Sequence, residues 1–197
     1  MKNRLVLLLG VVALGCEVGE KPMQNSPATN RVLDHFAGGL RFGDSFDAAA
    51  QHGSLVDSHV DESGSTMRLQ LPRAKHGLSN ARLLGTASGS GNGASSRVYG
   101  IILFSQPESA QIALKGGQAD AAHIFGNPGQ QGCIGYNARH TSRATVWEDE
   151  LGGGIALIEP GPDSLPGDES LTRLVVYPRG QNATDALPNF RIGDCQN

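Results

Sequence analysis

RVYGIILFSQPESAQIALKGGQADAAHIFG, residues 97–126, passes from one structural pattern to another halfway along its length. Its first part, RVYGIILFS (97–105), is rich in β-branched and aromatic residues and reads as a strand. Ser105 and Glu108 then bracket Pro107 in the spacing of a capping box. From there Ala110, Ala113, Leu114, Ala121, Ile124 and Phe125 recur at intervals of three and four until Gly126. That is a helix, and its weak point is Gly116–Gly117. Each glycine costs about 1 kcal/mol against alanine, so the helix is expected to kink or split there.

The pattern repeats on either side. LRFGDSFDAAAQHG (40–53) has Asp44 or Ser45 as N-cap, Phe46, Ala49 and Ala50 at helical spacing, and Gly53 as a stop. MRLQLP (67–72) alternates apolar and polar, and ARLLG (81–85) is compatible with a strand. The small polar run TASGSGNGASS (86–96) connects it to 97–105. After the second helix come RATVWEDE (143–150), GGIALIEP (153–160) and LTRLVVYP (171–178), with LGGG (151–154) as a turn and GPDSLPGDES (161–170) as a polar loop. The order is helix, three strands, helix, three strands. The expected fold is therefore α+β, with two helix-plus-three-strand modules (repeats 40–105 and 106–178, then a C-terminal tail) and an antiparallel sheet carrying its helices on one face. Phe46, Leu69, Ile102, Leu114, Phe125, Trp147, Leu157 and Val175 are the expected core.

Composition narrows the function classes. The 197 residues suffice for one domain, and 27 glycines with 10 prolines suit a loop-rich one. Six Phe, three Tyr and one Trp leave few stacking platforms, and 16 basic residues are scattered among 19 acidic ones for a net charge of −3. Nucleic acid is not expected as a partner, since phosphate backbones call for clustered Lys and Arg.

The amino terminus, MKNRLVLLLGVVALGC (1–16), has Lys2 and Arg4 before an apolar run from Leu5 to Leu14. That run is about half of the roughly 20 residues a spanning helix needs, so it reads as a signal peptide over 1–15. ALGC resembles the lipobox of bacterial lipoproteins, in which the cysteine is acylated and becomes the new amino terminus. Ala13 and Leu14 stand where that family prefers Leu and then Ala or Ser, and an ordinary secretory signal is the alternative reading. The resemblance implies lipidation of Cys16, a membrane contact through the N-terminal lipid, and a place in the bacterial envelope on the periplasmic face of the outer membrane. Residues 16–31, with two prolines and few large apolar side chains, then form a lipid-anchored tether ahead of an α+β domain over 32–197. With Cys16 given to lipid, Cys133 and Cys195 remain, and an even pair in an oxidising compartment is expected to form a disulfide.

RFGDSF (41–46) ahead of the first helix and IFGNPG (124–129) after the second resemble the helix-then-meander modules of outer-membrane assembly lipoproteins of the BamE type and of the β-lactamase inhibitor protein. That resemblance implies binding of a protein partner.

Chemistry-bearing motifs are sparse. The histidines at 35, 52, 59, 76, 123 and 140 are dispersed, and their linear spacing offers no zinc set, so no metal site and no cofactor are expected. Asp57, His59 and Asp61 alternate in DSHVDESG (57–64), which reads as a polar turn, because Glu62 stands where a calcium loop needs glycine. GSGNG (89–93) reads as a flexible loop and the carboxylates of WEDE (147–150) as a solvated turn. No GxSxG, SxxK or P-loop motif occurs, and no catalytic residues are assigned. Tyr136, Asn137, Arg139 and His140, next to Cys133, are the expected binding surface. The expected function is non-catalytic binding or scaffolding in the envelope, the alternative an envelope hydrolase or a small-ligand or metal sensor.

Overall fold

The computed structural model describes residues 25–61, 64–85, 96–137, 140–161, 171–193 and 195. The strand at 97–105 is β4 (Val98–Ser105), and the helix after it is α3 (Ala110–Phe125), entered through a 3-10 turn at Pro107–Ser109. Ser105 does not cap this helix. It is still part of β4 and fully buried, and its Oγ accepts from the Thr172 N–H at 3.2 Å. The turn is closed one residue later, where the Gln106 N–H donates to Ser109 Oγ at 3.2 Å. Gly126, at φ 73°, ends the helix in the left-handed conformation that glycine adopts without strain. Gly116–Gly117 neither split nor end α3. Gly117 is buried against Leu157, where an added Cβ would already lie 3.3 Å from Leu157 Cδ1.

The fold is α+β, and among the described residues each module holds four strands rather than three. The first comprises α2 (Phe46–Ala49), capped by Ser45 Oγ on the Ala48 N–H, then β1 (Ser54–Asp61), β2 (Gly64–Lys75), β3 (Leu78–Gly85) and β4. The second comprises α3, β5 (Gln130–Asn137), β6 (His140–Glu148), β7 (Gly154–Ile158) and β8 (Arg173–Tyr177). Each set of four is an antiparallel meander. The two meanders meet last strand to last strand, with Ile101 opposite Val176 and Leu103 opposite Leu174. With β9 (Phe190–Ile192) added beside β5, the result is one nine-stranded sheet in the order β1-β2-β3-β4-β8-β7-β6-β5-β9.

The extra strands are β1 and β5. β1 includes Asp57, His59 and Asp61, expected in a turn. Its side chains at 54–60 are all exposed, so neither face shows the apolar alternation by which a strand is recognised. β5 is interrupted by Gly132 and Gly135. At Gly132 a side chain would collide with Phe190, its Cβ 2.4 Å from that ring, so the glycine admits the carboxyl-terminal segment.

Alternation along the strands makes two apolar faces. One carries Leu69, Leu83, Ile101, Leu103, Leu174, Val176, Ile155 and Leu157 against Val32, Leu33 and Phe36 of α1 (Pro27–Phe36), Phe46 of α2 and Ala113 and Ala121 of α3. The other carries Ala144, Val146, Ala156, Ile158 and Tyr177 beneath Leu187, Phe190 and Ala183 of the short helix α4 (Ala183–Ala186). Three helices thus share the expected face, while α4 lies on the opposite one. Phe46, Leu69, Trp147 and Leu157 are buried as expected. Ile102, Leu114, Phe125 and Val175 are half-buried, Ile102 and Val175 because they face each other on the second face, Leu114 and Phe125 because they flank the first core.

Cys133 of β5 is disulfide-bonded to Cys195, with Cα atoms 5.4 Å apart, which fastens the carboxyl-terminal segment beside β9. At the other end, helix α1 begins before Val32. Ser26, fully buried, caps α1 by accepting the Thr29 N–H at 3.0 Å, and Pro27 opens the helix, so the last residues of the expected tether belong to it.

Candidate functional site

Helices α1 and α3 run antiparallel and are clasped at two points one turn apart. Arg31 Nη2 donates to the Ile124 carbonyl at 3.0 Å, placing a cation at the negative end of α3. Four residues on, His35 Nε2 meets Asp120 Oδ2 at 2.6 Å. A third element reaches the same oxygen: His76 Nε2 lies 2.7 Å from Asp120 Oδ2. His76 and Gly77 form the two-residue connection between β2 and β3, both at positive φ (53° and 81°), as a type I′ hairpin turn requires. The turn therefore aims the imidazole at α3.

The ring of His76 rests on bare helix backbone. An added Cβ at Gly116 would be 2.3 Å from its Nδ1, so only glycine allows this approach. Phe36 supports both imidazoles, edge-on to His35 with ring centroids 4.7 Å apart and tilted against His76 at 6.3 Å. A ring nitrogen of His35, one of His76 and a carboxylate oxygen of Asp120 all lie within 4.8 Å of one another, and the three side chains are about one-third exposed. Burial pushes the Asp120 carboxyl up. The hydrogen bonds from His35 and His76, with the charge these rings carry when protonated, outweigh that and hold it below the ordinary carboxylate value.

The sequence-derived sites fall elsewhere. Tyr136, Asn137 and His140 belong to the β5–β6 hairpin, where Asn137 pairs with His140, and Arg139 lies outside the described residues, as do Cys16 and GSGNG. Asp57 makes a loose ion pair with Arg68 at 3.9 Å on the exposed sheet surface. Within WEDE, Asp149 does form a turn, its Oδ1 accepting the Leu151 N–H at 2.9 Å. Glu148 instead holds α4, its Oε1 accepting the Ala183 N–H at 2.6 Å and the Tyr177 hydroxyl at 3.0 Å. The His35–His76–Asp120 cluster escaped sequence reasoning because its members come from three elements far apart in the chain. The one local signal was Gly116–Gly117, two glycines in a helix that the apolar pattern alone does not explain.

One edge of the sheet is also exposed. β1 is the outermost strand, and Leu55 and Val56 are each 57% exposed with Val60 at 38%. Comparison with family models, with curated proteins and with solved structures finds no match to this chain.

Proposed function

We propose that the chain is a bacterial envelope lipoprotein, membrane-anchored through acylated Cys16, whose folded domain binds or scaffolds a protein partner and catalyses no reaction. The observation that carries the binding role is the β1 edge. Natural edge strands are generally short, charged or covered, because unpaired N–H and C=O groups recruit other strands. β1 is eight residues long, and beside Asp57, which pairs loosely with Arg68, it displays Leu55, Val56 and Val60 to solvent, so its outer edge suits addition of a partner strand that covers these apolar side chains. The Cys133–Cys195 disulfide supports an oxidising compartment, and the signal-like terminus supports export. A metal-sensing role is the second reading, favoured by the His35–His76–Asp120 cluster.

Two measurements test the proposal. Mass spectrometry of the membrane-extracted protein should find its amino terminus at Cys16 with acyl mass, and Cys16→Ser should leave the precursor uncleaved. A photo-crosslinking residue at position 56, introduced in cells, should give a discrete adduct that one at Ile112 does not. An unacylated mature terminus would sink the anchor, and equal labelling from both positions would sink the edge.

A further inference from the structure

We propose that His35, His76 and Asp120 form a binding site for a divalent transition-metal ion of the zinc type. This inference does not depend on the lipid anchor or on the β1 edge. Two imidazole nitrogens and one carboxylate oxygen are the donor set that zinc and its neighbours accept, whereas calcium and magnesium require oxygen ligands throughout. A tetrahedral zinc with bonds of about 2.0–2.1 Å holds its ligand atoms roughly 3.3 Å apart. The imidazole nitrogens stand 2.6 and 2.7 Å from Asp120 Oδ2, and no pair among the three atoms exceeds 4.8 Å. Side-chain shifts of at most about 1 Å at each residue bring them to that spacing. Partial exposure leaves a fourth position open to water or to a ligand from outside.

The site is also held ready. Its three ligands stand on packed elements: the last turn of α1, the tight β2–β3 turn and the middle of α3. Gly116 clears the space His76 occupies, and Phe36 backs both rings. A helix that gives up propensity at Gly116 and a histidine held at φ 53° are two separate departures from local preference, and both serve the same placement. Bound metal would tie α1, the β2–β3 hairpin and α3 together, joining the two modules on the helical face.

Calorimetric titration of the purified full chain, disulfide intact, with Zn²⁺ should give one equivalent at micromolar or tighter affinity, unaffected by excess Mg²⁺. His35→Gln, His76→Gln and Asp120→Asn should each weaken it at least about tenfold, while His123→Gln and His59→Gln should not. Gly116→Ala should weaken it as well with helix content retained, since alanine favours the helix. In the unmutated protein, ¹⁵N signals of the His35 and His76 rings should shift on addition of zinc, a readout independent of how well any variant folds. Absence of stoichiometric binding, binding that survives all three ligand substitutions, or ring signals of other histidines moving while these two stay fixed would overturn the proposal.

Discussion

His76 requires glycine at position 116: its imidazole fills the place where any side chain there would begin, with Nδ1 2.3 Å from the position of a Cβ. The helix gives up stability so that a turn from the other module can dock against it.

This coupling is measurable. In the protein as it is, Gly116→Ala gains helix propensity but drives His76 off Asp120, so its net effect should be near zero or destabilising. Where His76 is already alanine, the same change should stabilise by up to about 1 kcal/mol. A double-mutant cycle by urea denaturation should therefore show coupling of at least about 0.5 kcal/mol, and simple additivity would contradict the contact.

The disulfide closes a separation of 62 residues, for which the chain-entropy estimate is about 4 kcal/mol. Replacing Cys133 and Cys195 together by serine should lower stability by about 2–5 kcal/mol. Hydrogen exchange should accelerate first at Phe190–Ile192, which pairs only with β5 among the described residues.

Tyr177 gives a pH test with a definite sign. Burial, followed by the charge and hydrogen bond of Glu148, raises its hydroxyl far above the usual tyrosine value of 10.0. Below pH 10 the group is protonated in folded and unfolded chains alike and contributes no slope. Above it the unfolded tyrosine loses its proton while the folded one keeps it, so the native state binds more protons and stability falls. Tyr177→Phe should flatten the alkaline limb of the stability profile, at a cost near neutral pH of about 1 kcal/mol for the lost hydrogen bond.

Ser26→Ala should cost about 1 kcal/mol, because it removes the α1 cap and leaves the Thr29 N–H in a fully buried place without its acceptor. Chemical denaturation checks this. An unchanged midpoint would mean that the first turn of α1 adds nothing to the domain.

The elements that the sequence revealed are those that bury apolar side chains. β4 and β8 declare themselves through residues such as Ile101, Leu103 and Val176, β7 through a short apolar run buried on both faces, and α3 through its alanines and Gly126. β1 has no such pattern, since most of its described side chains meet solvent, and the glycines of β5 make room for Phe190 instead of filling a core. Ser105 followed by Glu108 has the spacing of a capping box, yet the serine belongs to β4 and its Oγ is taken by the N–H of Thr172, the residue before β8. The disulfide followed from counting. The pairing of His35 with His76 through Asp120 is set entirely by tertiary packing, and no spacing in the chain encodes it.

The junction of the two meanders dictates an order of assembly. A chain emerging amino terminus first can complete β1 to β4 from local contacts, but the free side of β4 must wait for β8, the last strand of the second meander. Until then Ile101 and Leu103 lie on a strand with one neighbour, the state most prone to pairing with a second chain. Cys195 arrives later still, so the covalent bond can form only after every strand has been made. It acts as a latch on the finished sheet, and a chain cut short before residue 195 would keep all but the closing step.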